Sequence, residues 1–389
     1  MKILIFYIYF YLFITILCYK NNILHKEENR IKKNLNGKIK FTFNETNGGH
    51  SDTVRTLVSL ENGYLASGSH DATIKIWNVK DGKLKYSFDR SFGGHSDTIY
   101  LLLALENGYL ASGSYDTTIK IWDTINGKLK FTFDQKNGGH SNMIWSLCSL
   151  RNGYLASGSW DWTIKIWNLN SGELEFTFNQ TNGGHTGWID ALVLLDNGYL
   201  ASGSSDSTIK IWDVKNGYLK FTFNQSNGGH LRPVISLALL ENGNLASGSQ
   251  DGTIKLWDVI NRKLIITLNG HKDQILSLIS LENGYLASGS GDSTIKIWDA
   301  TFGYLKYTLE SHTKLVGSLI SLANGYLASG SDDSTIKIWD LFDGKLKFTL
   351  DQSVGGHSRG ILSLALLQDD YIASGSWDSN IKIWQLTDD

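Results

Sequence analysis

The sequence predicts an all-β fold in which eight repeats, each of four strands, form an eight-bladed β-propeller. Two observations support this prediction: a tryptophan recurs at a nearly constant spacing, and the segments around it are near copies of one another. Neighbours in the tryptophan series are 45, 45, 45, 45, 41, 41 and 45 residues apart. The series is Trp77, Trp122, Trp167, Trp212, Trp257, Trp298, Trp339 and Trp384. A period of about 40 to 45 residues is typical of a propeller blade.

The composition agrees with this fold and excludes several classes of function. Hydrophobic residues make up 41% and charged residues 19% of the chain, as expected for a folded globular body. Forty glycines and a single proline indicate many short strands and tight turns. The net charge of −2 provides no basic field for a nucleic-acid partner. Two cysteines, Cys18 and Cys148, cannot form a disulfide framework, which favours a reducing compartment.

The first repeat shows how each blade is built. Polar and apolar residues alternate in its strands, as in half-buried strands, and the turns between strands carry glycine or aspartate. The predicted strands are 38–44, 53–60, 64–69 and 73–79. The same order recurs in every repeat, and the chain ends just after the fourth-strand tryptophan of the last one. The last blade therefore receives only three strands from this end of the chain and lacks an outer strand.

Two dipeptides mark the repeats. Gly-His precedes the second strand in all repeats except the seventh, which has Ser311-His312. Trp-Asp ends the repeat at five positions, and Asn78, Asn168 and Gln385 replace the aspartate in the others. With these motifs the chain resembles the WD-repeat family over residues 38–389. The resemblance implies that the N-terminal strand pairs with the last repeat and closes the ring, which would leave no open sheet edge.

Each repeat also contains a histidine, a serine, an aspartate and a tryptophan at fixed spacing. In the first and last repeats these are His50, Ser67, Asp71, Trp77 and His357, Ser374, Asp378, Trp384. Serine, histidine and aspartate together suggest a hydrolase triad. A nucleophile is needed once, however, and eight copies favour a structural role. The family resemblance implies a hydrogen-bond network from tryptophan to serine, serine to histidine and histidine to aspartate.

The remaining motifs give no sign of an enzyme. The sequence has no nucleotide-binding glycine loop after a strand, no HExxH and no paired-cysteine metal spacing. We therefore expect no catalytic residue, no cofactor and no metal. The lysines of the repeated TIKIW segments, Lys75 through Lys382, are expected to cover neighbouring strands with their aliphatic stems while their amines reach water.

Function is expected where the near-identical repeats differ. Among the positions that vary, the family resemblance points to three in each repeat: three and five residues after the histidine, and immediately before the turn aspartate. The resemblance implies that these positions line the top rim of the propeller. The candidate partner-binding residues at or beside them are Arg55, His70, Tyr100, Tyr115, Met143, Trp145, Trp160, Trp162, Trp188, Asp190 and Trp377.

Exposed aromatic residues beside charged ones are typical of protein-binding hot spots. We therefore expect a crescent over blades one to four, joined by Trp377 from blade eight, that binds a peptide or the edge of a domain. Two alternatives remain open. The rings could pack between blades, or three of them could converge into a cage for a methylated lysine.

The predicted function is a non-enzymatic scaffold or adaptor for protein partners. The alternative from another class is a secreted or surface lectin-like propeller. That alternative predicts cleavage after the N-terminal apolar segment and glycosylation at Asn44, Asn179 and Asn224, which head Asn-x-Ser/Thr sequences.

The N-terminus permits more than one interpretation. Residues 1–19 form a hydrophobic segment whose apolar run, 3–19, has a length between a signal-peptide core and a short membrane span. A misassigned start codon is a third explanation. The polar linker 20–37 carries several lysines and arginines, which by the positive-inside rule would keep the propeller on the cytoplasmic side. The expectation is a cytoplasmic propeller, tethered to a membrane if the segment is retained.

Overall fold

The structure, a computed structural model, describes residues 35–388. The predicted hydrophobic segment 1–19 and most of the predicted linker 20–37 lie outside the described residues. Strand β1 (Leu35–Phe43) comes first, and the other strands follow in eight sets. It begins three residues earlier than the predicted strand 38–44, because Leu35 to Gly37 also adopt strand geometry.

The strands follow the repeats closely. Blades one to four contain β2 (Val54–Leu60), β3 (Tyr64–Ser69), β4 (Ile74–Asn78), β5 (Lys83–Phe88), β6 (Ile99–Ala104), β7 (Tyr109–Ser114), β8 (Ile119–Asp123), β9 (Lys128–Phe133), β10 (Ile144–Leu150), β11 (Tyr154–Ser159), β12 (Ile164–Asn168), β13 (Glu173–Phe178), β14 (Ile189–Leu194), β15 (Leu200–Ser204), β16 (Ile209–Asp213) and β17 (Tyr218–Phe223). Blades five to eight contain β18 (Val234–Leu239), β19 (Leu245–Ser249), β20 (Ile254–Asp258), β21 (Lys263–Leu268), β22 (Ile275–Leu281), β23 (Tyr285–Ser290), β24 (Thr294–Asp299), β25 (Tyr304–Glu310), β26 (Val316–Leu322), β27 (Tyr326–Ser331), β28 (Ile336–Asp340), β29 (Lys345–Leu350), β30 (Ile361–Leu366), β31 (Tyr371–Ser376) and β32 (Ile381–Asp388).

Short 3-10 helices lie in the connections. One group precedes the histidine turns: Glu45–Asn47, Arg90–Phe92, Gln135–Asn137, Gln180–Asn182, Gln225–Asn227 and Gln352–Val354. The other group joins the first and second strands of a blade: Glu61–Gly63, Glu106–Gly108, Glu282–Gly284, Ala323–Gly325 and Gln368–Asp370. No helix within residues 35–388 is long and apolar enough to cross a membrane.

Eight four-stranded sheets form the blades. In blades one to seven the strands pair in chain order, and the sheet of blade eight has the order β1–β32–β31–β30. The inner strands contact one another in sequence around the ring, from β2 to β6 and onward to β30, which in turn contacts β2. This closed circuit of inner strands confirms the eight-bladed propeller predicted from the tryptophan spacing.

The hydrophobic core lies between neighbouring blades. In one such layer, Ile74, Ile76 and Phe88 of blade one pack with Ile99 and Trp122 of blade two. An outer-strand phenylalanine packs on the tryptophan of the next blade in four places, with ring centroids 4.3–4.4 Å apart: Phe88–Trp122, Phe133–Trp167, Phe178–Trp212 and Phe223–Trp257. Phe43 of β1 makes a similar contact with Trp77 at 4.2 Å. Leu268, Leu309 and Leu350 are buried at the same position of blades five to seven. Each blade is thus held by its neighbours rather than by its own sheet alone.

The lysine row differs from the expectation that its amines reach water. Lys120, Lys165 and Lys337 are buried, and their Nζ atoms donate to threonine hydroxyls of the adjacent outer strand at 3.1–3.2 Å. Burial lowers the pKa of these lysines, although Asp116, Asp161 and Asp333 act to raise it. The correction has a simple cause, since a threonine directly across the strand pair gives the amine an acceptor.

Residues Lys38–Gln385 form one compact unit. The other unit comprises residues 1–37 and 386–389, of which the structure describes the strand ends 35–37 and 386–388. The predicted domain 38–389 stays a prediction.

Candidate protein-binding face

The structure brings the repeated histidine, serine, aspartate and tryptophan together in every blade. In blade one, Trp77 Nε1 donates to Ser67 Oγ at 2.9 Å, and Ser67 Oγ lies 2.8 Å from His50 Nε2. His50 Nδ1 lies 2.9 Å from Asp71 Oδ2. Blade eight repeats this arrangement with Trp384, Ser374, His357 and Asp378. With the histidine neutral, each group donates to the next, and no buried donor is left without an acceptor in this network.

The electrostatics of the network agree with a neutral histidine. Burial lowers the pKa of His50, and the neighbouring Asp71 only partly offsets this effect. Burial acts to raise the pKa of Asp71, but hydrogen bonds from His50 and Thr73 outweigh it and hold the pKa well below its usual range. Asp71 also accepts the backbone N–H of Ser51 at 3.0 Å. The aspartate is therefore ionised, and it joins the histidine turn to the turn between β3 and β4.

A hydrolytic role for these residues does not fit the geometry. The network serines, including Ser67 and Ser374, are completely buried. Each serine oxygen also receives the tryptophan N–H, as Ser67 does from Trp77. A nucleophile must be reachable by its substrate beside a hole for the oxyanion. These serines are internal parts of the blade, and they position the top-face turns instead of attacking a substrate.

The turns anchored by the network aspartates define the top face. On this face two of the three variable positions of each blade are joined by a backbone hydrogen bond. The residue before the aspartate donates its N–H to the carbonyl of the residue three after the histidine: His70 to Thr53, Tyr115 to Thr98, Trp160 to Met143 and Trp377 to Gly360. These two positions therefore lie side by side in every blade.

The third variable position is a β-bulge. In blade one Val54 pairs with Ser69 and Thr56 with Gly68, so Arg55 is the extra residue between them. The same irregularity occurs at the start of each inner strand, at Arg55, Tyr100, Trp145, Asp190, Ile235, Leu276, Gly317 and Leu362. A bulge leaves its extra residue unpaired and turns that side chain away from the regular alternation of the strand. The sequence located these positions by their variation but gave no sign of the bulge.

Seven aromatic side chains meet in one continuous row, which we call the aromatic crescent: Trp377, His70, Tyr100, Tyr115, Trp145, Trp160 and Trp188. Ring centroids along the main row are 5.7, 6.5, 5.1, 5.4 and 4.1 Å apart, from Trp377 through His70, Tyr100, Trp145 and Trp160 to Trp188. Tyr115 branches from Tyr100 at 6.2 Å. The crescent thus crosses blades eight, one, two, three and four.

The crescent is packed and accessible at the same time. Tyr115, Trp188 and Trp377 are 52%, 42% and 38% exposed, although each has an aromatic neighbour. Trp145 and Trp160 are half-buried. Packed rings and exposed rings are therefore not exclusive here, because the rings pack on one another from blade to blade along the rim and part of their surface stays accessible.

Arg55 and His70 are two ionisable residues on this half of the rim. The Arg55 guanidinium lies 5.3 Å from the ring centroid of Tyr100 and 5.9 Å from that of Trp145. Burial lowers the pKa of Arg55, but an arginine remains charged at any physiological pH. His70 also has a pKa lowered by burial, with the charges of Asp52 and Asp97 opposing that effect.

Asp190 has the most unusual environment on this face. Its Oδ2 atom is buried and has no hydrogen-bond partner among the described residues. Burial, with a smaller contribution from the charge of Asp206, raises the pKa of Asp190 to about 7. The Nε1 atom of Trp160 is likewise buried without an acceptor within residues 35–388. Unpartnered buried polar atoms and shifted pKa values are both more frequent at functional sites.

Two of the predicted partner-binding residues behave differently from the rest. Met143 is only 2% exposed, and its backbone carbonyl accepts from the N–H of Trp160. Its assignment to partner binding stays a prediction. Trp162 is 44% exposed but has no ring partner among residues 35–388, and it lies in a left-handed turn with φ of 69°.

The opposite half of the rim has a different character. The bulge positions of blades five to eight carry Ile235, Leu276, Gly317 and Leu362, which are uncharged and not aromatic. The aromatic and charged bulge residues are confined to blades one to four. At the bulge positions alone, the rim therefore has a charged and aromatic half and a half without charged or aromatic side chains. Within residues 35–388, no group of three or more histidine, cysteine, aspartate or glutamate residues could hold a metal ion.

Comparisons with known proteins agree with this architecture. The family model described as "WD domain, G-beta repeat" matches the chain eight times, at residues 37–78, 86–123, 127–168, 174–213, 219–258, 262–299, 303–340 and 344–385. No curated protein matches the chain.

Two solved structures illustrate the similarity. The chain is similar to the computationally designed Ika8 protein, with 29% identity and a TM-score of 0.74 over 87% of this chain and 97% of that one. It is also similar in fold to the WD40 β-propeller domain of Doa1, with 24% identity and a TM-score of 0.59 over 90% of this chain and 97% of that one. Because the family model matches in all eight repeats and covers more than half of the chain, this protein belongs to the WD40-repeat family of β-propellers.

Proposed function

We propose that this propeller is a non-enzymatic scaffold that holds a peptide or a domain of another protein on its top face. The observation that supports the proposal is the aromatic crescent, a continuous row of rings that is accessible across five blades. WD40 propellers typically mediate interactions between proteins, but the fold alone does not assign a partner. The residues assigned to the contact are Arg55, His70, Tyr100, Tyr115, Trp145, Trp160, Trp188, Asp190 and Trp377, with Trp162 beside them.

The physical argument concerns how such a surface binds. Tryptophan and tyrosine bury a large area with few rotatable bonds, so ordering them on binding costs little entropy. In the crescent the rings are already held by one another, as Trp160 and Trp188 are by a stacking distance of 4.1 Å. A surface organised before binding loses less free energy when the partner arrives. We expect Trp145, Trp160 and Trp188 to be its energetic centre.

The test compares two triple variants for partner capture from native cells, by proximity labelling and by direct pull-down. The first variant carries Trp145→Ala, Trp160→Ala and Trp188→Ala. The matched control carries Gln250→Ala, Gln274→Ala and Leu315→Ala at rim positions of blades five to seven. Circular dichroism and thermal unfolding must show that both variants are folded. Partners that the wild type and the control capture, and the tryptophan variant loses, support the proposal. Equal capture by all three proteins would refute it.

We also propose that the propeller faces the cytosol. The basic residues of segment 20–37 support this orientation by the positive-inside rule. The glycosylation-like sequences have another explanation, because their asparagines cap short helices. Asn179 Oδ1 accepts from the backbone N–H and the hydroxyl of Thr181, at 3.1 and 2.6 Å. Asp351 plays the same part toward Ser353 in another blade.

Glycosidase treatment of the full chain expressed in its native cells tests this orientation. We expect no change in mobility, because a cytosolic propeller is not glycosylated. A shift that disappears on mutation of Asn179 and Asn224 would place the propeller in the secretory pathway and favour the lectin-like alternative.

We further propose that β1 closes the ring as the outer strand of blade eight. Two contacts of β1 repeat those made by the outer strands of other blades. Phe43 stacks on Trp77 at 4.2 Å, as Phe88 does on Trp122. Lys40 Nζ lies 4.0 Å from the ring centroid of Tyr371, as Lys130 does at 4.1 Å from that of Tyr109. The order β1–β32–β31–β30 agrees with this role.

A further inference from the structure

We infer that the Trp188 end of the aromatic crescent binds an arginine side chain of the partner, with its guanidinium against the tryptophan row and Asp190 as its hydrogen-bond acceptor. This inference rests on the proposed function, because it specifies the chemistry of a partner that binds at the crescent. It concerns one subsite, formed by Trp160, Trp188 and Asp190, and it makes the partner a basic peptide or loop.

The first argument comes from two unpartnered atoms in this subsite. Asp190 Oδ2 and Trp160 Nε1 are both buried, and neither has a hydrogen-bond partner among the described residues. One is an acceptor and the other a donor, and a buried polar group without a partner costs free energy. An arginine residue within a peptide offers both complements, since its guanidinium donates to the carboxylate and a backbone carbonyl accepts from the indole.

The second argument comes from the shape of the tryptophan row. Trp160 and Trp188 stack face to face, with centroids 4.1 Å apart and planes 9° apart, so no group can enter between them. Trp145 is tilted by only 35° from Trp160. The rings therefore form a row and not the three walls of a cage. A row ends in a flat face or edge, which suits a planar guanidinium better than a bulky trimethylammonium group.

The third argument is the pattern that the chain itself contains. The guanidinium of Arg55 already lies over Tyr100 and Trp145, at 5.3 and 5.9 Å from their centroids. Arg55 belongs to blade one and Asp190 to blade four, with the aromatic bulge residues of blades two and three between them. This sequence of bulge residues runs from positive through aromatic to acidic. A partner guanidinium at Asp190 would place a second cation, besides Arg55, at the acidic end of this row.

The acceptor also distinguishes between kinds of cation. A trimethylated lysine carries no N–H and cannot satisfy Asp190 Oδ2, whereas a guanidinium presents several donors in a plane. Citrulline has nearly the same shape as arginine but carries no charge. The comparison of arginine with citrulline therefore tests the charge together with the donors of one nitrogen, and the comparison with trimethyllysine tests a cation without donors.

The experiment measures retention of the full-length chain on immobilised hexapeptide pools in which one position is fixed. The fixed residue is arginine, citrulline or trimethyllysine, and the other positions are random. Four proteins are compared: the wild type, Asp190→Asn, Trp188→Ala and Asp332→Asn. The last variant is the matched control, because it removes a rim carboxylate on blade seven. Asp190→Asn keeps the size of the side chain and removes a buried charge, so we expect it to fold, and thermal unfolding verifies this.

The wild type and Asp332→Asn should prefer the arginine pools to the citrulline pools on the order of tenfold, as for a hydrogen-bonded charge pair in a partly buried site. Asp190→Asn should retain both pools at the citrulline level. Equal retention of arginine and citrulline pools by the wild type would overturn the inference. So would an unchanged preference in Asp190→Asn, a preference for trimethyllysine, or no retention of the arginine pools.

Failure of the proposed function is recognised separately. If Trp188→Ala weakens retention on every pool while no pool is preferred, the crescent binds peptides and only the arginine subsite is wrong. If Trp188→Ala leaves all retention unchanged, peptides bind elsewhere, and both the crescent and its arginine subsite are refuted.

Discussion

At the scale of single residues, Asp190 differs from every other residue at the bulge position. Its seven counterparts at the bulge position are Arg55, two aromatic residues, three aliphatic residues and a glycine. Asp190 alone among them places a carboxylate oxygen in a buried position without a partner in the described part of the chain. The network aspartates, in contrast, each bond a histidine, as Asp206 does with His185 at 2.8 Å. The pKa values of Asp190 and Asp206, both in blade four, are therefore shifted in opposite directions because only Asp206 has a fixed hydrogen-bond partner.

This difference predicts a pH dependence of stability. The pKa of Asp190 is raised from 3.8 to about 7, so the folded state binds a proton more tightly than the unfolded state. The free energy of unfolding should fall as pH rises from about 4 to about 7, and the loss should be complete above that range. Asp190→Asn removes the effect. We expect its stability advantage over the wild type to be about 2 kcal/mol larger at pH 8 than at pH 5.

Urea unfolding at the two pH values measures this advantage. The nearby Asp206 also carries charge, but it keeps its histidine partner in both proteins and cancels in the comparison. Asp332→Asn serves as the control for loss of a rim carboxylate. A constant gap between Asp190→Asn and the wild type would show that Asp190 is ionised in the folded protein throughout.

At the scale of elements, the outer strand of a blade contacts the next blade through one recurrent hydrophobic residue. This residue packs on the tryptophan of the following blade, and it is phenylalanine in some blades and leucine in others. Phe133 lies 4.3 Å from Trp167, ring to ring. Leu268 occupies the same place in the cluster that contains Trp298. The interface between blades thus accepts either side chain, because both fill the space beside the buried indole.

We therefore expect Phe133→Leu and Phe133→Ala to differ strongly. Leucine is already used at this position, so Phe133→Leu should lower the free energy of unfolding by about 1 kcal/mol. Phe133→Ala leaves a cavity against Trp167 and should cost about 3–5 kcal/mol. Denaturant unfolding of both variants measures the two losses. Equal losses would mean that stacking of the phenylalanine ring, and not the filling of space, holds neighbouring blades together.

At the scale of the whole molecule, a nearly symmetric ring carries an asymmetric face. The network, the interblade core and the bulges recur in all eight blades, while the crescent occupies only one side of the rim. The repeated strands and the network do not constrain the identity of the bulge residue, since that residue takes no part in strand pairing. The confinement of the charged and aromatic bulge residues to blades one to four follows from this freedom.

The closure of the ring gives a prediction at the same scale. A chain that starts at residue 34 keeps β1, whereas a chain that starts at residue 44 lacks it. Without β1, Trp77 loses the ring of Phe43 and strand β32 loses its neighbour in the sheet. An unpaired strand edge invites association with other chains. We expect the shorter chain to unfold at a lower temperature and to associate on size-exclusion chromatography.

The chain that starts at residue 34 is the control for loss of the N-terminal segment. It should remain monomeric and should unfold at the same temperature as the longer protein. If both shortened chains behave alike, β1 contributes little to closure, and the contacts between the inner strands of blades eight and one hold the ring by themselves.

The sequence by itself determined the number of blades, the order of their strands and the residues of the internal network. These features depend on local patterns that recur with each repeat, such as the spacing of Trp77 and its copies, so one repeat informs the others. The sequence also located the rim positions, because these are where the repeats differ. It did not show that position five after the histidine is a bulge, or that the lysine amines bond threonines.

Only the tertiary structure decided which rim residues act together. Trp160 stacks on Trp188, and Tyr100 contacts Trp145, across the boundary between neighbouring blades. Met143 and Trp145 are two residues apart, yet one is buried and the other takes part in the crescent. The unpartnered oxygen of Asp190 likewise depends on which groups of other blades surround it. Contacts of this kind join residues distant along the chain, and burial is a property of the assembled ring, so no pattern within a single repeat contains them.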